Sequence, residues 1–284
     1  MRYAASFLVA PALLVFLVFF ILPFAALASL SFSTYVQGAV GWKEAIKPTL
    51  TISNYIDFFS SSVYWEYLFL TLRTAAVSTV AAVLLGYPVG YTIARSQSKA
   101  LKKLLLVWVI AGLYVSSIGR VFSLAILLGR NGILSWLMSF YGGGPLNLIG
   151  TESAVDIGIT YFLIPVAALS LVSAIQKIDP SLEDAARNLG ATGLQTFYKV
   201  TLPLSLPGII AATVLCLAIG ANFFITPVVL GAGMVLTLPV LIYDRFMYTL
   251  NYPFGAVMSV ILLLFALVIV YFVNKILVSR MAIR

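Results

Sequence analysis

Residues 254–276 read FGAVMSVILLLFALVIVYFVNKI, a run whose only charge is Lys275, next to its end. A bilayer core of about 30 Å needs roughly 20 apolar residues in helical form, and this run supplies them. Five more stretches qualify, at about 7–30, 67–94, 104–128, 154–176 and 205–230. Lipid offers no partner to backbone polar groups, so a spanning segment is a helix or a strand closed into a barrel. Barrel strands alternate in polarity over about 10 residues. These runs are longer and apolar all round, which predicts an all-α membrane protein of six transmembrane helices.

Composition agrees. Of 284 residues 62% are apolar and 9% charged, against about 45–50% and 25% in a soluble domain; the mean hydropathy is +1.08. Too few charges remain to cover a water-facing surface, which argues against a soluble enzyme. The chain has no histidine, so histidine metal sites and histidine general bases are excluded. The single cysteine, Cys216, lies in an apolar run, and no intrachain disulfide can form. No phosphate-binding Gly-x-x-x-x-Gly-Lys loop occurs, so any ATP is bound by another chain. No resident cofactor or metal is expected here.

The net charge of +8 does not come from one basic run, so it points to lipid rather than nucleic acid. With both termini inside, the inner side carries Arg2, Arg95, Lys99, Lys102, Lys103, Lys177, Arg187, Lys199, Lys275, Arg280 and Arg284. The outer side carries Lys43, Lys47, Arg130 and Arg245. Eleven against four predicts cytoplasmic termini and attraction to anionic headgroups. Arg2, an apolar stretch and Ala26-Leu27-Ala28 also look like a cleavable secretory signal. The run exceeds the about 7–15 residues usual there, and a retained anchor is expected. No repeat or linker divides the chain, which reads as one membrane domain, 1–284, with a cytoplasmic loop at 177–203.

In the outer loop at 31–66, Trp42, Tyr55, Phe58, Phe59, Tyr64 and Trp65 read as an aromatic belt at headgroup level. Ile133, Trp136, Leu137 and Phe140 recur at helical spacing, as in a short interfacial helix, before a turn through 141–145. Both regions also suit docking of an external partner.

The loop at 177–203 carries the most information. Asp179 can cap a helix whose first residue is Pro180, and Glu183 and Asp184 sit near its positive end. Leu182, Ala185, Ala186 and Leu189 fall on one apolar face, and Gly190 suits the left-handed residue after a helix end. Thr192 and Gln195 form a capping box for a second helix, expected to run to about Val200 and stop at Leu202-Pro203. Two short helices bent at a glycine, one face on the bundle and one on a partner, suit a lever.

This segment resembles the signature of permease subunits of binding-protein-dependent ABC importers: Glu-Ala-Ala, three residues, Gly, nine residues, Ile, one residue, Leu-Pro. It is met by Asp184-Ala185-Ala186, Gly190, Val200 and Leu202-Pro203, with two conservative departures, Asp for Glu and Val for Ile. Three further stretches are similar to spermidine/putrescine-type permeases: 128–134, Gly86-Tyr87-Pro88, and Tyr252-Pro253-Phe254-Gly255-Ala256. The resemblance implies a type I ABC importer permease fold in a bacterial inner membrane, and a subunit that is not itself an enzyme. It implies two copies of an ATPase subunit holding ATP and Mg, a second homologous permease and an external solute-binding protein. It also implies that Glu183, Asp184, Ala185, Ala186, Arg187 and Gly190 couple to the ATPase. Of these, Asp184 and Glu183 would face its basic groups, Ala185 and Ala186 would allow close packing, and Gly190 would supply the bend.

An ionisable residue inside a span should face protein or water. Tyr114, Ser116, Ser117 and Arg120 in the third span, with Asn222 and Thr226 in the fifth, are the candidate pore wall. Arg73 could pair with Glu66. The resemblance favours a polyamine such as spermidine or putrescine. A dication suits carboxylates and aromatic faces, yet the spans offer arginine and aromatics, which leaves an anionic or zwitterionic solute as the alternative. An ion-coupled secondary transporter needs buried ionisable relays and often inverted repeats, and neither is seen. A membrane enzyme lacks an acid/base set.

Overall fold

The computed structural model describes residues 11, 13–38, 44–142 and 146–281, with side chains of the last helix to 275. Arg2, Trp42, Lys43, Arg284, the turn at 143–145, the Arg280 side chain and residues 7–10 of the first apolar run lie outside the described residues. The elements in order are α1 (Leu13–Ser31), β1 (Thr34–Tyr35), β2 (Ile46–Lys47), α2 (Ser53–Ser60), α3 (Ser62–Arg95), α4 (Lys99–Tyr114) and α5 (Ser117–Leu128). Then follow α6 (Ile133–Phe140), α7 (Glu152–Ile175), α8 (Pro180–Asn188), α9 (Gly193–Leu204), α10 (Leu206–Gly220), α11 (Ile225–Leu230), α12 (Leu238–Met247) and α13 (Tyr252–Met281).

By length and composition five helical segments can cross a membrane, and six if α9 and α10, bent by 63° at Ser205, count as one. The helix α3 has 34 residues, about 51 Å at 1.5 Å per residue, well beyond the hydrocarbon thickness. Two expected spans are interrupted. The stretch 104–128 is two helices, because Val115 and Ser116 are extended (ψ 131° and 132°) and Ser116-Ser117 starts a new helix. The stretch 205–230 is α10, a turn, and α11. Small polar residues inside an apolar run compete for backbone hydrogen bonds and favour helix starts over helix interiors.

Prolines account for a second irregularity. Leu17–Ile21 in α1 and Phe197–Thr201 in α9 are π-turns, each followed by a proline two residues on, Pro23 and Pro203. Proline lacks the N–H and its ring crowds the carbonyl four residues back; widening the turn relieves both without ending the helix. Thus α9 does not stop at Leu202-Pro203 as expected, but runs on to Leu204.

The chain forms two compact units. One comprises residues up to Leu68 with Leu238–Phe265. In it β1 and β2 pair antiparallel, Thr34 opposite Lys47. Phe58 is fully buried and stacks on Tyr64, which packs against Phe254. Tyr55 bonds Ser31 at 2.7 Å. Part of the expected aromatic belt is therefore a small core; Phe59 and Trp65 stay exposed.

The other unit, Phe69–Thr237 with the end of α13, centres on α7, which packs most extensively against α10. Its core includes Ala82, Ile159, Leu163, Ala167, Leu171 and Cys216. Small residues let backbones approach, the usual device where lipid supplies no hydrophobic drive between helices. A Cβ on Gly86 would stand 3.0 Å from the Ala167 Cβ and 3.1 Å from the Ala168 nitrogen. One on Gly90 would stand 3.0 Å from the Ala168 oxygen, and one on Gly208 would collide with Ala174.

Candidate functional site

The loop between α7 and α10 is built by local chemistry. The Asp179 carboxylate accepts from the Ser181 N–H at 2.9 Å, with Pro180 at the first helical position. That bond holds the Asp179 carboxyl below its ordinary value. At the other end Gly190 has φ +88°. Its N–H donates to the Arg187 carbonyl at 2.9 Å and the Ala191 N–H to the Ala186 carbonyl at 3.0 Å, the paired bonds of a Schellman end. The next helix restarts at once. The Thr192 N–H donates to the Gln195 side chain at 2.9 Å, and the Gln195 N–H to the Thr192 hydroxyl at 3.3 Å, the reciprocal capping box.

The faces of α8 differ from expectation. Asp184, Ala185 and Arg187 are exposed, as are Leu182 and Leu189 of the apolar stripe, Leu189 at 89%. Ala186 is half-buried. Glu183, expected to face a partner, is 5% exposed and turned into the chain. Its Oε1 accepts from Arg95 Nε at 2.9 Å and from the Thr201 hydroxyl at 3.0 Å, while Arg95 Nη2 donates to the Ile178 carbonyl at 2.8 Å. A carboxylate near the core is stable only when paired and hydrogen-bonded, and Arg95 meets that need. This corrects the reading of Glu183 as a partner contact: it is the residue that ties α8 to α3.

The candidate pore residues divide. Ser117, Asn222 and Thr226 line one cleft of about 550 Å³ with Val121, Phe162 and Phe223. Tyr114, 87% exposed, and Ser116, also exposed, lie apart from the lining. Asn222 Nδ2 donates to the Ala218 carbonyl at 2.8 Å. Thr226 is fully buried, and its hydroxyl has no partner among the described residues. Arg120 is 5% exposed; its guanidinium lies 4.2 Å from the ring centre of Phe162, which packs edge-on to Phe223. Its Nε and Nη1 have no acceptor among the described residues. Arg73 pairs with Glu152 and, at 3.7 Å, with Asp156, both on α7, rather than with Glu66.

Sequence reasoning missed Arg95 and Thr201 as parts of the loop's anchorage. The available signal was the spacing of Tyr87, Tyr91 and Arg95, four residues apart on one face of α3. Arg95 had served only as a topology charge.

Residues 86–283 match the model of the family described as "binding-protein-dependent transport system inner membrane component". The chain belongs to this family. It is accordingly a multi-pass inner-membrane permease subunit of an ABC importer. The spermidine/putrescine transport system permease protein PotB of Haemophilus influenzae is 34% identical over 233 residues, 80% of this chain and 81% of that protein. A bacterial ABC transporter involved in the import of the acidic polysaccharide alginate superposes with TM-score 0.79 at 18% identity, covering 98% of this chain and 96% of its own. The alginate transporter in complex with its alginate pentasaccharide-bound periplasmic protein gives TM-score 0.76, also at 18% identity, with 98% and 95% covered. At that identity the likeness concerns the fold, which is that of type I importer permeases.

Proposed function

We propose that this permease forms half of the translocation pathway of an ATP-driven polyamine importer. The observation that carries the solute class is the 34% identity to a spermidine/putrescine permease across four-fifths of both chains. The partners are an ATPase subunit in two copies, which binds ATP and Mg, a second homologous permease and an external solute-binding protein. ATP-driven closure of the ATPase pair pulls on the exposed side of α8, where Asp184, Ala185, Ala186 and Arg187 form the contact and Gly190 sets the bend. The membrane bundle then switches between two packings as rigid bodies. Both termini and the loop at 177–203 face the cytoplasm, as the distribution of lysine and arginine supports.

The test is uptake of labelled spermidine by the full complex in proteoliposomes. Saturable, ATP-dependent uptake supports the reading; none, with another solute transported, overturns the solute class. Asp184→Lys and Gly190→Val should insert normally yet lose ATPase assembly or transport, since a β-branched residue opposes positive φ. Wild-type uptake by both would remove α8 from the coupling role. Orientation is tested by cysteines at the exposed Gln97 and Asn147, against the low background of buried Cys216. An impermeant thiol reagent on intact cells should label Asn147→Cys only.

A second reading, an anionic or zwitterionic solute, rests on Arg120. A buried guanidinium with unpaired N–H groups beside a cleft without carboxylates favours a carboxylate guest. Competition between spermidine and a dicarboxylate or an amino acid for uptake separates the two.

A further inference from the structure

Three side chains on one face of α3 meet the loop on three successive turns. The Tyr87 hydroxyl bonds the Ser205 hydroxyl at 2.7 Å, at the point where α9 bends by 63° into α10. Tyr87 and Tyr91 both set their rings edge-on to Phe197, in the π-turn of α9. Eight residues beyond Tyr87, Arg95 grips Glu183 of α8 and the Ile178 carbonyl just ahead of it. The same Glu183 oxygen takes the Thr201 hydroxyl of α9. One carboxylate oxygen thus joins three helices that are not consecutive in the chain.

We infer that Arg95 and Glu183 are positioning residues that fasten α8 to α3, so that displacement of α8 moves α3 with it. Without this fastening α8 is joined to the bundle only through its chain ends, and a pull on it could be absorbed by bending at Gly190 and Ser205. With it, Tyr87–Ser205 stands at the bend and Arg95–Glu183 about 12 Å away along α3. That separation turns a sideways pull on α8 into rotation of the long helix. The side chains of both Arg95 and Glu183 are mostly shielded from water, 13% and 7% exposed. The pair therefore escapes the screening that makes exposed ion pairs weak.

The inference rests on the docking role proposed for α8, and the experiment separates the two. The full complex, with its ATPase, second permease and external binding protein, is reconstituted, and solute imported per ATP hydrolysed is measured. Arg95→Gln and Glu183→Gln should still bind the ATPase and hydrolyse ATP, with the ratio falling at least about five-fold, the low end of ordinary coupling strengths. The swap Arg95→Glu with Glu183→Arg should recover part of it. Arg95→Lys keeps the charge but loses the forked contact to Ile178 and should fall between. An unchanged ratio in both glutamine variants overturns the inference. Loss of ATPase binding by Asp184→Lys alone concerns the docking role and not the fastening. Should the glutamine variants fail to assemble, spin labels at the exposed Gln97 and Ser181 in the otherwise unaltered complex decide. Their separation should stay constant between nucleotide-free and ATP-bound states, and a change of about 5 Å, one helical turn, would show that α8 slides free of α3.

Discussion

The guanidinium of Arg120 sits over the ring of Phe162 at 4.2 Å, buried, with two of its nitrogens unbonded among the described residues. Stacking on an aromatic face contributes about 0.5–2 kcal/mol, while removing a cation from water costs several kcal/mol. In this conformation Arg120 therefore does not stabilise the fold. Arg120→Met should leave thermal stability of the assembled complex within about 1 kcal/mol of the parent, since an apolar replacement of a buried charge is often neutral or better. Uptake normalised to assembled complex should change about ten-fold, equivalent to roughly 1.4 kcal/mol. Poor assembly with unchanged normalised uptake would make Arg120 a structural residue.

Helix packing at Gly86 and Gly90 leaves no space for a side chain, whereas Gly193 has no atom within 4 Å of a built Cβ. Gly86→Val and Gly90→Val should each cost about 1–3 kcal/mol by overpacking. Gly193→Ala should be neutral or slightly stabilising. Thermal inactivation of the three variants in detergent ranks them, and equal loss at all three would contradict close packing between α3 and α7.

At the other end of α3, Arg73 faces two carboxylates on consecutive turns of α7. Arg73 and Glu152 are each 44% exposed, so screening limits that pair to about 1 kcal/mol or less. Arg73→Ala should cost more than Glu152→Ala, because it leaves the shielded Asp156 without its counter-charge. A thermal-shift series including the double variant Arg73→Ala with Asp156→Asn checks this, and the double variant should be the more stable of the two that lack Arg73.

The cap of α8 carries a pH dependence. The Asp179 carboxyl is lowered by the Ser181 N–H bond. Its contribution is thus full above the ordinary carboxylate value and is lost as pH falls through the lowered one. Hydrogen exchange at the Ser181 amide should rise, relative to its intrinsic rate, below about pH 4. Asp179→Asn, also a good cap, should abolish that dependence, and a persisting dependence would assign it to another group.

What was legible in the sequence is local. Asp179, Gly190, Thr192 and Gln195 act within a few residues of themselves, and the structure shows each in its expected geometry. Hydropathy located the apolar runs because burial in lipid acts on whole windows. It could not locate the break at Val115-Ser116, where a local hydrogen-bonding choice interrupts an unbroken apolar run. Partner choice was the other blind spot. Glu183 lies 88 positions from Arg95, and on α8 alone it is indistinguishable from its neighbour Asp184. Arg73 has Glu66 two turns back on its own helix, yet the carboxylates it meets belong to α7.

The π-turn at Phe197–Thr201 makes chain length there more consequential than side-chain identity. It holds one residue more than an α-helical turn, ahead of Ser205 and α10. Deleting any one of those five residues would restore regular helix and rotate everything beyond it by about 100°. Ser205 would swing off Tyr87, and the α10 face packed on α7 would turn toward the surroundings. The segment acts as a phase setting between two helices: most substitutions leave the phase unchanged, and a single-codon deletion resets it.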